Sequence, residues 1–441
     1  MAVTLAAGTA AAGLESAGRG KAGAAAPGTP HRSLVLTVIL SVTVLQRFAL
    51  PFAGSVVGVG FVLSLTAGVW GLVTRRMRID PARTVLFAIA MAALLLTLVM
   101  RPSGYSKLSF AMLVVAYLFF ILYLPLQYSA YLRLLRSVQA VTGFVAVSGL
   151  VQFMAQFAVG RDWMFPFDLV LPPALFIPNF NLRIPLGEGL AVLKSNGLWL
   201  LEPSHFSQTI ALSLIIEFLY FRRIWFLALL AAAYLVSFSG TGLLLLVGTG
   251  ILGAMVTRRW EILVAILVAA LAALLLRDVP PFSYFAARIA EFTNPLSSGS
   301  MRLLAPYWWV SDVLLASARS ALLGFGPGNI ELVLARVDYS VQDSSWLKLF
   351  GEYGLIGGVP FILFYLYVLL RHSPSIIISL ACLVQFALLG GYLNSFYIQF
   401  LHLLLVGWPR ISASGDRLNR SDAPAPRASD GTPGPHHPRR A

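Results

Sequence analysis

Charge is what this sequence has least of. Asp, Glu, Lys and Arg make up 11% of its 441 residues, against 58% hydrophobic residues, whereas soluble domains carry about 25% charged residues. That scarcity excludes an ordinary soluble enzyme and a disordered polymer. Cysteine is nearly missing as well. Cys382 is the single one and lies inside an apolar run, which excludes an intramolecular disulfide scaffold and argues against a thiolate metal site. No GxxxxGK[ST] loop is present, so ATP is not bound through a P-loop. Neither HExxH nor a Cys/His cluster with metal spacing occurs, and the GxSxG elbow of serine hydrolases is missing too. What remains is apolar length. Runs of about 20 residues recur along most of the chain, with a mean hydropathy of +0.81. The composition is that of an all-α polytopic membrane protein.

About twelve spans are expected at roughly 20 residues each. They centre on 34–50, 54–73, 84–100, 108–126, 138–159, 204–221, 224–239, 241–257, 260–276, 347–370, 375–390 and 394–409, with Gln46 and Arg47 interrupting the first. The organisation that follows is a tail over 1–33, five transmembrane helices over 34–159 and a loop over 160–203. Helices six to nine then fill 204–276, a large loop fills 277–346, the last three helices fill 347–409, and a basic tail covers 410–441. Both tails are too poor in bulky apolar residues to order themselves. The first 30 residues do not have the order of a cleavable signal, because the Ala-rich stretch precedes the basic residues.

Charge placement supports this topology. With a cytoplasmic N-terminus and an even number of crossings, both termini are cytoplasmic and 20 of the 32 Lys and Arg residues fall inside. Acidic residues split 7 inside and 11 outside, giving net charges of +13 and +1. Each short inner loop carries its Arg, as the positive-inside rule requires. The excess of +14 is therefore topological, and nucleic acid is not an expected partner. The segments 160–203 and 277–346 both fall outside. They are far longer than the usual loop of about five residues, and loops of that length carry function or a lid.

Several motifs each admit two readings. Gly324-Phe-Gly-Pro-Gly-Asn329 follows a helical pattern, so the dinucleotide reading fails its context. It is either a helix stop at Gly324 with a restart that places Pro327 in the first turn, or a turn whose N–H groups face an anion. Glu202-Pro-Ser-His205 precedes a span. Pro203 suits a first turn and Glu202 suits the helix dipole, yet Glu and His together also suit a base or hydrogen-bonding pair. Arg302 opens an amphipathic stretch over 302–320 with Trp308 and Trp309, the pattern of a helix at the bilayer interface. Its guanidinium either snorkels to headgroups or meets a lipid pyrophosphate. In Gln342-Asp343-Ser-Ser-Trp346, Asp343 or Ser344 reads as an N-cap and Trp346 as an interfacial anchor. Inside the bilayer the clearest ionisable group is Glu217, near the cytoplasmic end beside Arg222 and Arg223. The other polar groups there are amides such as Gln152, Gln156, Gln385 and Gln399. A proton-coupled transporter would carry ionisable groups near mid-membrane.

Four segments in order are similar to the O-antigen ligase/polymerase superfamily of bacterial envelope glycosyltransferases. They are Lys194-Ser-Asn-Gly-Leu-Trp-Leu-Leu-Glu202-Pro-Ser-His-Phe-Ser-Gln208 and the helix start Ser239-Gly-Thr-Gly. Next comes Ser297-Ser-Gly-Ser-Met-Arg302, with Trp308, Trp309 and Gly324-Phe-Gly-Pro-Gly328 behind it. The last is Asp343-Ser-Ser-Trp-Leu-Lys-Leu-Phe-Gly-Glu352-Tyr-Gly-Leu-Ile-Gly357. Together they span roughly residues 194–358. The resemblance implies a polytopic glycosyltransferase-like fold in the bacterial inner membrane, working at the periplasmic face without metal or other cofactor. Arg302 matches a pyrophosphate-binding arginine of the family. Lys194 stands where an arginine is usual and supplies a point charge without the bidentate fork. Ligases carry His-Asn where this chain has Gln342-Asp343, and no other His lies in the large loop, which argues for a polymerase.

The expected reaction is growth of exopolysaccharide or O-antigen from polyprenyl-pyrophosphate-linked repeat units. Arg302 and Lys194 would hold the pyrophosphate with Arg183 and Arg288 as helpers, Glu202 or Asp343 would be the base, and His205 would support the acceptor. Loop 277–346 would cover the site and exclude water. The alternatives are a ligase transferring polymer to lipid A-core, and a transporter or flippase of a lipid-linked sugar. Partners implied are the lipid-linked oligosaccharide, membrane lipid and, by analogy, a chain-length regulator or export machinery.

Overall fold

The computed structural model describes residues 32–52, 55–101, 104–178, 180, 182–187, 190–276, 278–279 and 298–411. The two expected tails lie almost wholly outside the described residues, and so does Arg288.

Every expected span carries a helix. The first ten are α1 (Arg32–Val42), α2 (Val59–Val73), α3 (Pro81–Val99), α4 (Lys107–Leu118), α5 (Tyr128–Ala158), the short α6 (Pro166–Val170), α7 (Pro203–Ile216), α8 (Ile224–Ser237), α9 (Gly240–Thr257) and α10 (Glu261–Leu275). Among the described residues of the large loop, four short α-helices follow: α11 (Ser298–Leu303), α12 (Ala305–Trp309), α13 (Ala318–Leu323) and α14 (Ile330–Leu334). Then come α15 (Ser345–Leu370), α16 (Ile376–Leu388) and α17 (Phe396–His402), the last running on as a π-helical turn through Gly407. Among the described residues, four helices, α3, α5, α9 and α15, are long and apolar enough to cross a membrane.

A polar residue accounts for the first departure from the expected spans. The first was expected over 34–50, but α1 stops at Val42. Arg47, 1% exposed, turns inward instead, donating to Asp168 Oδ1 at 2.5 Å and to Leu198 O at 3.0 Å. A buried guanidinium needs such partners, and meeting them takes the backbone out of the helix. A hairpin, β1 (Ala49–Phe52) and β2 (Ser55–Gly58), follows. The span expected over 108–126 is likewise shorter, because α4 gives way to a 3₁₀ turn and then β4 (Leu122–Leu126). Residues 128–137, expected as a loop, are helical and open α5.

A small sheet closes one end of the bundle. β3 (Arg78–Ile79) pairs antiparallel with β4, which pairs parallel with β5 (Pro409–Ile411). Asp80 caps α3 by accepting from Ala82 N at 2.9 Å and Arg83 N at 3.2 Å, and it pairs with Arg410. Arg83, fully buried, donates to Leu122 O at 2.9 Å and Gly407 O at 2.7 Å. Carbonyls that no helix ladder uses are thus satisfied by one side chain. Glu217 is buried and takes Arg223 Nε at 2.9 Å and Nη2 at 2.8 Å. That is the neighbour expected of the clearest intramembrane carboxylate. In the core, Tyr117, Phe120, Phe361 and Tyr365 stack edge-on or tilted.

The large loop differs most from expectation. The interfacial helix anticipated over 302–320 is broken at Leu304, passes through a π turn over Val310–Leu314, and restarts after the Ser317 cap. Trp308 is exposed, but Trp309 is fully buried with its Nε1 near Val333 O. It is a core residue rather than a membrane anchor.

Candidate functional site

The site forms where α7, α11, the approach to α15 and the turn 390–395 meet. From that turn, α17 and its π extension run the length of a helix to β5, so the site lies at the end of the bundle away from the sheet. Glu202 is the N-cap residue of α7 and Pro203 its first residue, as expected. The Glu202 carboxylate does not cap the backbone; it accepts from Ser204 Oγ at 3.0 Å. His205 follows within the first turn, buried, with Nε2 3.2 Å from the Tyr397 hydroxyl.

Arg302 comes from the last turn of α11 and is tied to the approach of α15. Gln342 N donates to Met301 O at 2.9 Å, and Arg302 Nε donates to Gln342 Oε1 at 3.1 Å. Gln342 therefore orients the guanidinium by its Nε edge. The two Nη groups make no hydrogen bond among the described residues, which leaves the outer face of the fork open to a bidentate anion. Burial lowers the Arg302 pKa, while Tyr392, Glu202 and Asp343 work the other way by charge; a guanidinium stays ionised regardless.

Asp343 is free for chemistry because Ser344, not Asp343, caps α15 by accepting from Leu347 N at 3.4 Å. Burial raises the Asp343 carboxyl above the ordinary range; Lys348 lowers it, Glu331 raises it, and Arg302 lowers it in turn. A carboxylate with raised proton affinity is a better general base than a solvated one. Its position is set by Gly391: a Cβ there would lie 2.5 Å from Asp343 Oδ2. That turn is in turn clamped to α15. Ser345 N and Oγ both donate to Gly390 O at 3.1 Å, and Tyr392 N donates to Ser345 Oγ at 3.0 Å.

Of the residues singled out in the sequence, Arg302, Glu202, Asp343 and His205 are brought together by electrostatic reach and ring contacts. Arg183 is not among them. It is exposed, pairs with Asp162 at 3.4 Å and lies over Phe165. Lys194 is buried on a strip whose polar groups bind α5: Asn196 and Ser195 meet Gln152 at 2.6 and 2.8 Å. Sequence reasoning named Gln342 without seeing it as the partner of Arg302, and it did not single out Gly391, Tyr392, Tyr397 or Gln208 as site residues.

The glycine turn is not an anion cradle. Phe325 N and Gly326 N donate to Gly351 O and Glu352 O at 2.7 and 2.8 Å, and Gly328 N donates to Glu352 Oε1 at 3.0 Å. Those amides are consumed in docking the large loop on α15. Gly324, at φ 67°, ends α13, but α14 restarts only at Ile330, so Pro327 lies ahead of its first turn. Gly354, at φ 61°, kinks α15 where a Cβ would collide with Leu322 O. Ser239 precedes α9 as expected, and Gly242 lets α9 approach α7 closely, with Ser207 Oγ accepting from Gly242 N at 3.2 Å. No protein-family model and no curated protein matches the chain.

Proposed function

We propose that the protein is a metal-independent glycosyltransferase that polymerises polyprenyl-pyrophosphate-linked repeat units into exopolysaccharide or O-antigen. The observation that carries this reading is Arg302, with its Nε edge held by Gln342 and its Nη groups open, facing a cluster that holds Glu202, Asp343, His205 and Tyr392. A partly buried guanidinium fork suits a pyrophosphate. Carboxylates beside it suit deprotonation of a sugar hydroxyl. The reading places twelve crossings in a bacterial inner membrane, both termini in the cytoplasm and the site at the periplasmic face, in keeping with the inner excess of Lys and Arg.

In the reaction proposed, an acceptor hydroxyl oxygen bonds to the anomeric carbon of the donor sugar. The bond from that carbon to the lipid pyrophosphate breaks with its electron pair passing to the pyrophosphate, and the hydroxyl proton passes to Asp343 or Glu202. The leaving group is already good, so the protein's contribution is orientation and cationic stabilisation of the charge developing on it. Lys194 is the second cation proposed for the pyrophosphate. The Gln342-Asp343 pair favours the polymerase over the ligase, since the position supplies no imidazole. A flippase is disfavoured by Glu217, which is already neutralised by Arg223.

The test is purified protein with a lipid-pyrophosphate-linked repeat unit, without metal or nucleotide, followed on gels and by mass spectrometry. A ladder of added repeats, lost in Arg302→Ala, is the expected result. Transfer only to added lipid A-core would make the protein a ligase, and no product from either would return the flippase reading.

A further inference from the structure

Two buried polar atoms of α7 lack a partner: His205 Nδ1, on the ring that feels the Arg302 charge, and Gln208 Nε2, one turn on. Both lie in the first two turns of α7, 6% and 0% exposed, and Tyr392 touches both residues. Its ring centroid is 5.8 Å from that of His205, and its hydroxyl donates to Gln208 Oε1 at 2.9 Å. Buried donors and acceptors are nearly always paired in native structures, so two orphans in one place mark a position where a ligand completes the set.

The Gln208 amide is oriented from behind by a hydrogen-bonded chain that runs into the bundle. Gln385 Nε2 donates to the same Oε1 at 3.0 Å. Gln385 Oε1 meets His402 Nε2 at 3.0 Å, and His402 Nδ1 meets the Tyr365 hydroxyl at 2.8 Å. Reversing every bond would strand the Tyr365 hydrogen among the rings of Tyr117, Phe120 and Phe386. The chain therefore has one favoured sense, in which Tyr365 donates to His402 Nδ1 and His402 Nε2–H donates onward. In that sense the Gln208 NH₂ group is the free end, a donor. At His205 the Nε2 edge is taken by Tyr397, and the nearby Arg302 cation favours a lone pair over an N–H on the open Nδ1 edge. The open pair is thus one donor and one acceptor, both neutral.

We propose that this pair is a hydroxyl-recognition subsite: Gln208 Nε2 donates to, and His205 Nδ1 accepts from, a single non-reacting hydroxyl of the sugar whose pyrophosphate Arg302 holds. The assignment rests on the glycosyl-transfer reading. A donor beside an acceptor matches the two capacities of one hydroxyl, whereas an anion would call for two donors. Tyr392, Gln385, His402 and Tyr365 are positioning residues that fix the amide. Removing the matched hydroxyl leaves both protein groups unpaired again, which is how such a site rejects a deoxy sugar.

The experiment uses the full-length protein and the lipid-linked repeat unit of the producing strain, with synthetic analogues in which each hydroxyl of the pyrophosphate-bearing sugar is replaced by hydrogen in turn. Wild type is expected to lose at least about 100-fold in kcat/KM for one analogue, the cost of leaving two buried neutral groups unpaired, and far less for the rest. In Gln208→Leu that same replacement should cost less than about threefold, the signature of a coupled pair. Gln208→Met keeps the length of the side chain but carries no donor in any protonation state, so it limits misfolding and should lose the same discrimination. Tyr365→Phe, remote from the sugar, should narrow the ratio as well, which a loss of stability alone does not do. Equal treatment of all analogues by wild type, or unchanged discrimination in Gln208→Met, overturns the proposal. Failure of the underlying reading looks different, because wild type then elongates no parent unit at all.

Discussion

A methyl group at Gly391 is the sharpest perturbation of the site. The backbone there, at φ −74° and ψ 59°, is open to any L residue, so alanine adds no torsional strain. What it adds is a Cβ 2.5 Å from Asp343 Oδ2 and 2.9 Å from its Cγ and Oδ1. Ordinary contact needs about 3.5 Å, so the carboxylate must retreat by roughly 1 Å. The turn cannot retreat in its place, since Gly390 O and Tyr392 N are both bonded to Ser345. A displacement of that size costs on the order of 100-fold in rate when the group acts on the reacting atoms. Overpacking by one methyl costs about 1–3 kcal/mol of stability, within reach of a folded protein. Gly391→Ala is therefore expected to fold, insert and keep its melting temperature within several degrees, while its initial rate of elongation in nanodiscs falls about 100-fold. A variant that elongates at the wild-type rate would refute the assignment of Asp343, because the carboxylate could not then be acting from where it lies.

Other consequences are as direct. Arg302→Lys should keep a small part of the elongation rate seen on gels, because an ammonium replaces the charge but not the two-pronged fork; full activity would mean that charge alone suffices. Burial holds the Asp343 proton above the usual range, so the acid limb of kcat is expected above about pH 4 and should change in Asp343→Asn. For stability the folded chain binds that proton more tightly than the unfolded chain. Its contribution therefore falls as pH rises from about 3.9 through the raised value, and melting curves of Asp343→Asn should lack that slope. Asp80→Ala removes the cap of α3 and leaves the fully buried Arg83 without a carboxylate. About 3–5 kcal/mol should be lost, read as a lower melting temperature in detergent, and an unchanged midpoint would count against the buried cluster at the sheet end.

The long elements were legible because apolar length is a local signal. Each run of bulky residues carries its helix, and the misreadings fall where one polar group overrides its neighbours. Arg47 is the clearest case. Gln46 and Arg47 interrupt an apolar run, but the partner of Arg47, Asp168, lies 121 positions away, so nothing nearby says that the helix ends as early as Val42. The β3–β4–β5 sheet was invisible for the same reason. Its strands come from residues near 78, 122 and 409, none long enough to show an alternating pattern. At the site, Glu202, His205, Arg302 and Asp343 could be found because a polar residue flanking an apolar run is conspicuous. Gln208 could not, since a glutamine within an apolar helix carries no charge signal, and Tyr392, its partner, lies 184 positions away. The two halves of the site also differ in what they ask of the chain. The charged half sits on helix ends and turns, where water can reach the groups before substrate does. The neutral half sits on helix interiors, where each amide and hydroxyl needs a partner, and so extends inward through Gln385, His402 and Tyr365. A charge can serve at a helix end with few supports, but a neutral donor must be aimed, and aiming it from within a bundle takes residues that only the folded structure assembles.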